Sequence, residues 1–326
     1  MPISRRQWLA RGAWFCAPAL LGQAAMAQAW PARPIRLVVP APPGGASDNV
    51  ARLLGEHLTQ SLGQPVVVDN RPGGSTIIGN SAVAKAAPDG YTLLLGFTSL
   101  VQIPSLYANL PYDYQRDLVP ISLISTSADL FIVSSKVPAN MMADFVALVK
   151  SGKARLNYGS YGTGTSSHMH GELLKMRAGI DMVHAPYKGA APLLQDILAG
   201  QIDCGFVDIN SASGHLQSPK IKVLGITGAE RSTKLPDVPT FAQLGYAGFE
   251  PYGWIGIFAP AGTPTAITTR LATEFSRATR SPEVSQRLVA SGMTPVGSGA
   301  KELATVLRDD APVWAEIAKT ANIKLD

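Results

Sequence analysis

Ile35-Arg36-Leu37-Val38-Val39-Pro40-Ala41-Pro42-Pro43-Gly44-Gly45-Ala46-Ser47-Asp48 is the stretch on which the fold class turns. Its first five residues are short, apolar and β-branched, and Pro40 with the Pro42-Pro43-Gly44-Gly45 breaker closes them, so they read as a buried strand. A helix follows. Val50, Ala51, Leu53, Leu54 and Leu58 recur at helical spacing, Ser47 or Asp48 can cap the start, and Gly63 with Pro65 stops it. Working outward, Val66 to Val68 is a second strand. Asn70-Arg71-Pro72-Gly73-Gly74 turns into a helix near Thr76 to Ala86, and Tyr91 to Leu95 is a third strand. Strand and helix alternate, which predicts an α/β fold with a mostly parallel sheet.

A proline-broken stretch, Pro104 to Pro120, interrupts the alternation. Beyond it, Ile121 to Ile124 and Leu130 to Val133 read as strands on either side of polar Ser125-Thr126-Ser127, and the second is expected to cross into another domain. That domain should hold a helix from about Ala139 to Lys150, a strand at Leu156 to Tyr158, a helix after Gly164, a strand near Met182 to His184, and further units to about Thr227. Trp254 to Phe258 reads as a strand returning to the first sheet. Three helices should finish the chain: Thr263-Pro264 and Ser281-Pro282 look like capped starts for two, and the last spans about Lys301 to Lys319. The reading is two α/β domains: residues 30–128 with 254–326, and residues 129–253.

The amino terminus reads as an export leader. Met1 to Arg11 carries three arginines and no acid, an apolar, small-residue stretch from Gly12 to Ala25 follows, and Ala25-Met26-Ala27 or Ala27-Gln28-Ala29 fits a cleavage site after Ala27 or Ala29. The stretch is shorter than a span of about 20 residues, so no membrane embedding is expected. Ser4-Arg5-Arg6-Gln7-Trp8-Leu9 also resembles a twin-arginine signal. Cys16 in the apolar stretch lacks the small residues a lipid anchor needs. Without Arg5, Arg6 and Arg11, 25 basic residues face 23 acidic ones, a formal charge of +2. With no basic run either, nucleic acid is not an expected partner. Cys204 alone would survive cleavage, so no internal disulfide is expected, and between Ile202 and Phe206 it reads as inert core.

Two glycine-rich turns carry the candidate chemistry: Pro43 to Asp48, and Gly159-Ser160-Tyr161-Gly162-Thr163-Gly164-Thr165-Ser166. Each stands between strand and helix, where free backbone N–H groups and the helix dipole favour an anion. One lies in each expected domain, so a cleft between them could be lined from both sides. The plainer reading is that the glycines only make tight turns. Neither turn is a nucleotide fingerprint: a third glycine is missing after Gly164, and neither ends in Gly-Lys-Ser/Thr. His168, His170 and Glu172 do not make a metal site, since residues two apart on a helix face different ways and two ligands are too few. No nucleophile elbow is present, and neither a cofactor nor a catalytic group is expected.

In order along the chain, Arg33-Pro34-Ile35-Arg36-Leu37-Val38-Val39-Pro40 with Pro43 to Asp48, Asn70-Arg71-Pro72-Gly73, Asp89-Gly90-Tyr91-Thr92-Leu93, Tyr158-Gly159-Ser160 with Gly162-Thr163-Gly164, Pro186-Tyr187-Lys188-Gly189, Gly200-Gln201-Ile202-Asp203 and Leu235-Pro236-Asp237-Val238-Pro239-Thr240 resemble the Bug family. Bug proteins are the TctC-like periplasmic solute-binding components of tripartite tricarboxylate transporters. The resemblance spans essentially the whole chain after the leader. It implies a clamp like the type II periplasmic binding proteins, two α/β domains with mostly parallel or mixed sheets joined by crossing hinge strands. It also implies a small organic carboxylate held by backbone N–H groups and hydroxyls at Gly44, Gly45, Ala46, Ser47 and Asp48 and at Gly162, Thr163, Gly164, Thr165 and Ser166, with Asp208 facing the cleft. Two departures stand out. Ala41 occupies a place often aromatic in the family, which suggests a roomier site, unless Phe97 or Tyr161 fills the space. Ser127-Ala128 stands where many members carry proline.

The expectation is therefore a monomeric periplasmic binding protein that delivers its ligand to the membrane subunits of such a transporter. The rivals are a ligand sensor for a signalling receptor and a periplasmic enzyme acting on a similar acid.

Overall fold

The structure, a computed structural model, describes residues 30–153, 155–250 and 253–325. The leader, with its cleavage site and twin-arginine motif, lies outside the described residues. Strand β1 (Ile35–Val39) enters helix α1 (Ala46–Leu62), β2 (Val66–Asn70) leads to α2 (Ile77–Ala84), and β3 (Thr92–Phe97) to the short α3 (Ser99–Gln102) and α4 (Tyr114–Asp117). β1 pairs in parallel with both β2 and β3. The chain then runs through β4 (Leu118–Ser127), turns at Ala128 and enters β5 (Asp129–Ser134) of a second sheet.

That sheet is completed by α5 (Met142–Lys150), β6 (Asn157–Ser160), α6 (Ser166–Ala178), β7 (Val183–Pro186), α7 (Ala190–Ala199), β8 (Cys204–Asp208), α8 (Ile209–Ala212) and β9 (Ile221–Ile226), with strand order β7-β6-β8-β5-β9. β10 (Gly253–Pro260) returns to the first sheet. α9 (Thr265–Arg280), α10 (Pro282–Ala290), β11 (Thr294–Pro295) and α11 (Ala300–Thr320) follow, and the first sheet has order β11-β4-β10-β3-β1-β2. The molecule is thus two α/β domains in a binding-protein clamp.

Several expectations needed correction. The sheets are mixed, because the strands that leave and re-enter the first domain run in opposite senses: β10 is antiparallel to both β3 and β4, and β5 to both β8 and β9. Ser125-Thr126-Ser127 does not break β4. These residues pair with β10 and β11, and a ladder on both sides holds a polar run in strand form. Neither Ser47 nor Asp48 caps α1, whose N-cap is Gly45 without a side-chain bond. Thr263 does not cap α9 either: its hydroxyl donates to Pro260 O, and the helix starts two residues later. Ser281 does cap α10, accepting the Val284 N–H.

Apolar side chains cover both faces of each sheet. α1, α9 and α10 bury Leu54, Leu58, Leu271, Phe275 and Leu288 on one face of the first sheet. α7 places Leu193, Leu194 and Ile197 on one face of the second. The largest cluster is shared by the domains: Leu106 and Trp314 pack in it with Phe131, Met169, Leu173 and Phe206. α11 therefore belongs to the first domain by position and also packs on α6 of the second. Cys204 is fully buried in β8, where burial raises its thiol well above the ordinary value, consistent with inert core.

Candidate functional site

The first glycine turn links β1 to α1. Gly44 has φ +84°, a left-handed conformation that costs glycine little, and Gly44 and Gly45 are exposed. Asp48, in the first turn of the helix, folds back. Its Oδ2 accepts the Gly44 N–H at 2.9 Å and the Arg52 Nε–H at 2.9 Å, and its side chain is only 4% exposed. Burial alone would raise this carboxyl, but the bonds from Arg52 and Gly44 outweigh it, so its pKa is lowered. Asp48 thus braces the turn. Because no side chain caps α1, the backbone N–H groups of Ala46, Ser47 and Asp48 have no intrahelical acceptor. Ala41 is half-buried against the same core cluster as Phe97, and its carbonyl accepts from Asn70 Nδ2 at 3.2 Å.

The second turn links β6 to α6 and is more heavily held. Gly162 and Gly164 have φ +146° and +80°. The Gly164 N–H donates to His168 Nδ1 at 3.2 Å, the Gly162 N–H to Ser160 Oγ at 3.3 Å, and Thr165 Oγ1 donates to Gly162 O at 2.6 Å. The N–H groups of Gly162 and Gly164 therefore have partners inside the protein. The start of α6, at Ser166 and Ser167, has no side-chain cap, so its first backbone N–H groups have no intrahelical acceptor. Ser166 is 7% exposed and its hydroxyl lies 2.6 Å from Tyr161 Oη.

Tyr161 ties this turn to the crossover. Its hydroxyl donates to Asp129, the first residue of β5, at 3.1 and 3.2 Å, and His170 Nδ1 lies 3.0 Å from the same carboxylate. Asp208 stands opposite Asp129 in the β5–β8 register and caps α8 by accepting the Ser211 N–H at 2.9 Å. Burial, with Asp129 nearby, raises the Asp208 carboxyl against the opposing Ser211 bonds. Tyr161 is pushed well up by burial and by these two acids.

A third segment, absent from the sequence-based expectations, joins the two turns. The β2–α2 connection contains Ser75 at φ 51° and Thr76 at φ 81°, left-handed conformations that are costly for residues with a Cβ. Ser75 Oγ donates to Thr163 O at 3.1 Å, a contact between the domains. The same connection adjoins the first turn, since the Arg71 N–H donates to Val39 O and Asn70 holds Ala41 O. The glycine pair Gly73-Gly74 pointed to a turn here, but nothing local in the sequence marks Ser75 and Thr76 as strained. Among the described residues, no group of three His, Cys, Asp or Glu side chains is arranged to hold a metal. A surface groove of about 810 Å³ is formed by α9 and the start of α11, with no residue from either glycine turn.

A family model for the tripartite tricarboxylate transporter family receptor matches residues 50–323. The chain is 34% identical over 313 residues to protein BugT of Bordetella pertussis, covering 95% of this chain and 96% of that protein. It superposes on R. palustris Rpa4515, solved with adipate, with a TM-score of 0.84 at 33% identity, covering 90% of this chain and 99% of that one. For MatC of Rhodopseudomonas palustris, solved with bound malate, the values are 0.80 and 32%, covering 88% and 99%. The whole-chain run of motifs, the mixed-sheet clamp and these likenesses agree: the chain belongs to the tripartite tricarboxylate transporter receptor family of Bug and TctC proteins, as a periplasmic solute-binding protein.

Proposed function

We propose that this protein captures a small organic carboxylate between its two glycine turns and delivers it to the membrane subunits of a tripartite tricarboxylate transporter. One observation carries the reading: α1 and α6, from different domains, both begin without a side-chain cap at turns linked by the Ser75–Thr163 contact. Two helix starts, each with N–H donors and the positive end of a helix dipole, suit an anion with oxygens at one or both ends. Gly44 to Asp48 and Gly162 to Ser166 are the ligand-binding segments, the former through its backbone and the latter through Ser166 and the first turn of α6. Asp208, whose carboxyl is raised by burial, stands opposite Asp129 at the end of β8 and is assigned to the wall of the same cleft. The family also includes proteins solved with adipate and with malate, both dicarboxylates, which supports this ligand class. We assign the hinge to the crossover near Ser125 to Leu130 and to the return strand at Trp254, where β4 gives way to β5 and β10 rejoins the first sheet.

The test is a thermal-shift screen of mono-, di- and tricarboxylates, aromatic acids and amides on refolded, ligand-stripped protein. A concentration-dependent rise in melting temperature for acids but not for the matched amides is expected. Equal shifts with acids and amides, or none with any acid, overturn the carboxylate assignment. Scattering at saturating ligand should then show a smaller radius of gyration, as hinge closure requires.

A further inference from the structure

Three aromatic rings stack beneath the second glycine turn. His168 of α6 and His184 of β7 lie with centroids 4.1 Å apart and planes 20° from parallel, and Tyr158 of β6 continues the stack at 4.9 Å from His184. Gly171 makes room for it: a Cβ there would come within 2.1 Å of the Tyr158 ring. The far end of Tyr158 is fixed by its hydroxyl, which donates to Glu172 at 2.5 Å. Each histidine holds one part of the turn. His168 Nδ1 accepts the Gly164 N–H, and His184 Nε2 lies 2.7 Å from Ser160 Oγ, the atom that accepts the Gly162 N–H.

We propose that His168 and His184 are positioning residues that hold the second glycine turn in its ligand-competent shape, His168 by accepting the Gly164 N–H and His184 through Ser160. The inference rests on the assignment of this turn to the ligand site. Two physical facts support it. Face-to-face contact at this distance favours neutral rings, and a histidine whose Nδ1 accepts an N–H cannot carry a proton on that atom. The groups facing the pair agree. Burial lowers His168 although Glu172 opposes it, and burial, then His168 and Lys175, lower His184 to about 3. With His168 Nδ1 holding the Gly164 N–H and Ser160 Oγ the Gly162 N–H, the turn presents the start of α6 and the Tyr161–Ser166 hydroxyl pair instead.

Paired variants separate acceptor from ring. His168→Phe keeps a stacking ring and removes the acceptor, whereas His168→Asn keeps an oxygen near the place of Nδ1 and removes the ring. His184→Phe keeps the stack and removes the bond to Ser160. Amide exchange in glycine-labelled protein without ligand reads the turn itself. The Gly164 amide should exchange about five- to tenfold faster in His168→Phe, the effect of one hydrogen bond, and return toward wild type in His168→Asn. The Gly162 amide should respond to His184→Phe. Equal protection of Gly164 in wild type and His168→Phe, or equal loss in the Phe and Asn variants, overturns the positioning role. Adipate titration is the second arm. Weaker binding in His168→Phe with recovery in His168→Asn supports the proposal. If the exchange pattern appears but adipate affinity is the same in all variants that bind it, the histidines hold the turn without serving the ligand, and the proposal fails. If wild type does not bind adipate while the exchange pattern holds, the fault lies in the ligand assignment, and the exchange data still decide the structural half.

Discussion

The turn at Gly44 is braced by a charged pair and the turn at Gly164 by neutral rings. In the first, a buried carboxylate takes both a backbone N–H and an arginine that is 53% exposed. In the second, an imidazole and a serine hydroxyl take the N–H groups, and stacking with Tyr158 fixes the imidazoles. Both turns lead into a helix that starts without a side-chain cap. They differ in what holds them when pH or a neighbouring side chain changes. A carboxylate brace with a lowered pKa starts to lose its stabilisation only below about 3.8, whereas a neutral imidazole brace starts to lose it below about 6.5, where the unfolded chain takes up protons. The comparison predicts that the second domain's half of the site is the acid-sensitive half.

Asp48→Ala should break the comparison most severely. It removes two hydrogen bonds to a charged acceptor and leaves the Gly44 N–H unpartnered, a loss of about 1.5–3 kcal/mol in unfolding free energy by urea titration. Arg52→Ala should cost less, because Arg52 is half in solvent and the Gly44 bond survives it.

Acid titration tests the contrast directly. His168 and His184 have folded values below the ordinary 6.5, so the unfolded chain binds protons first. The stability they contribute is present above about pH 6.5 and is lost as pH falls toward their folded values, about 3 for His184. The slope per histidine is at most about 1.4 kcal/mol per pH unit, less where solvent screens the ring. Asp48, lowered from 3.8, contributes stability that is retained down to about that pH and lost only below it. Asp310 runs the other way. Burial, despite the Trp254 indole bond, raises it to about 6, so it stabilises the fold as pH falls through that value. The check is therefore a difference: between pH 7 and 5 the His168→Asn/His184→Gln double variant should lose less stability than wild type, while Asp48→Asn should lose as much. An unchanged loss in the double variant would place the acid sensitivity elsewhere.

Ala41→Phe probes the first turn's contribution to ligand size. Ala41 is half-buried beside the cluster that also contains Phe97. A phenyl ring at the mouth of the site should weaken the natural ligand by about 1 kcal/mol, an overpacking effect, and spare acetate-sized acids. Equal effects on both would show that residue 41 does not bound the site. The smallest effect concerns salt. Because helix-terminal dipoles rather than exposed lysines meet the anion, affinity should change little between low and physiological ionic strength, where screening acts over about 8–10 Å. A steep loss would mean that mobile surface charge contributes most of the binding.

The sequence by itself determined the α/β alternation, the positions of β1, α1, β3 and the closing helices, the two glycine turns and the family. Those follow from local facts: apolar period, proline and glycine breakers, and short motifs in a set order. Only the tertiary structure decided what holds the turns. Asp48 reads locally as a helix cap, yet α1 starts at Ala46, which places the carboxylate inside the first turn, reaching back to Gly44. His168 and His170 read as two unrelated histidines on different helix faces. The fold gives each face a partner from far along the chain, His184 on β7 for one and Asp129 at the crossover for the other. Strand direction behaved likewise. No local pattern shows that β4 and β10 cross between domains in opposite senses, because direction is set by where the chain re-enters the sheet. Contacts between residues 24 to 98 positions apart, such as Ser160 with His184, Ser75 with Thr163 and Asp129 with Thr227, depend on that path and on nothing a sequence window contains.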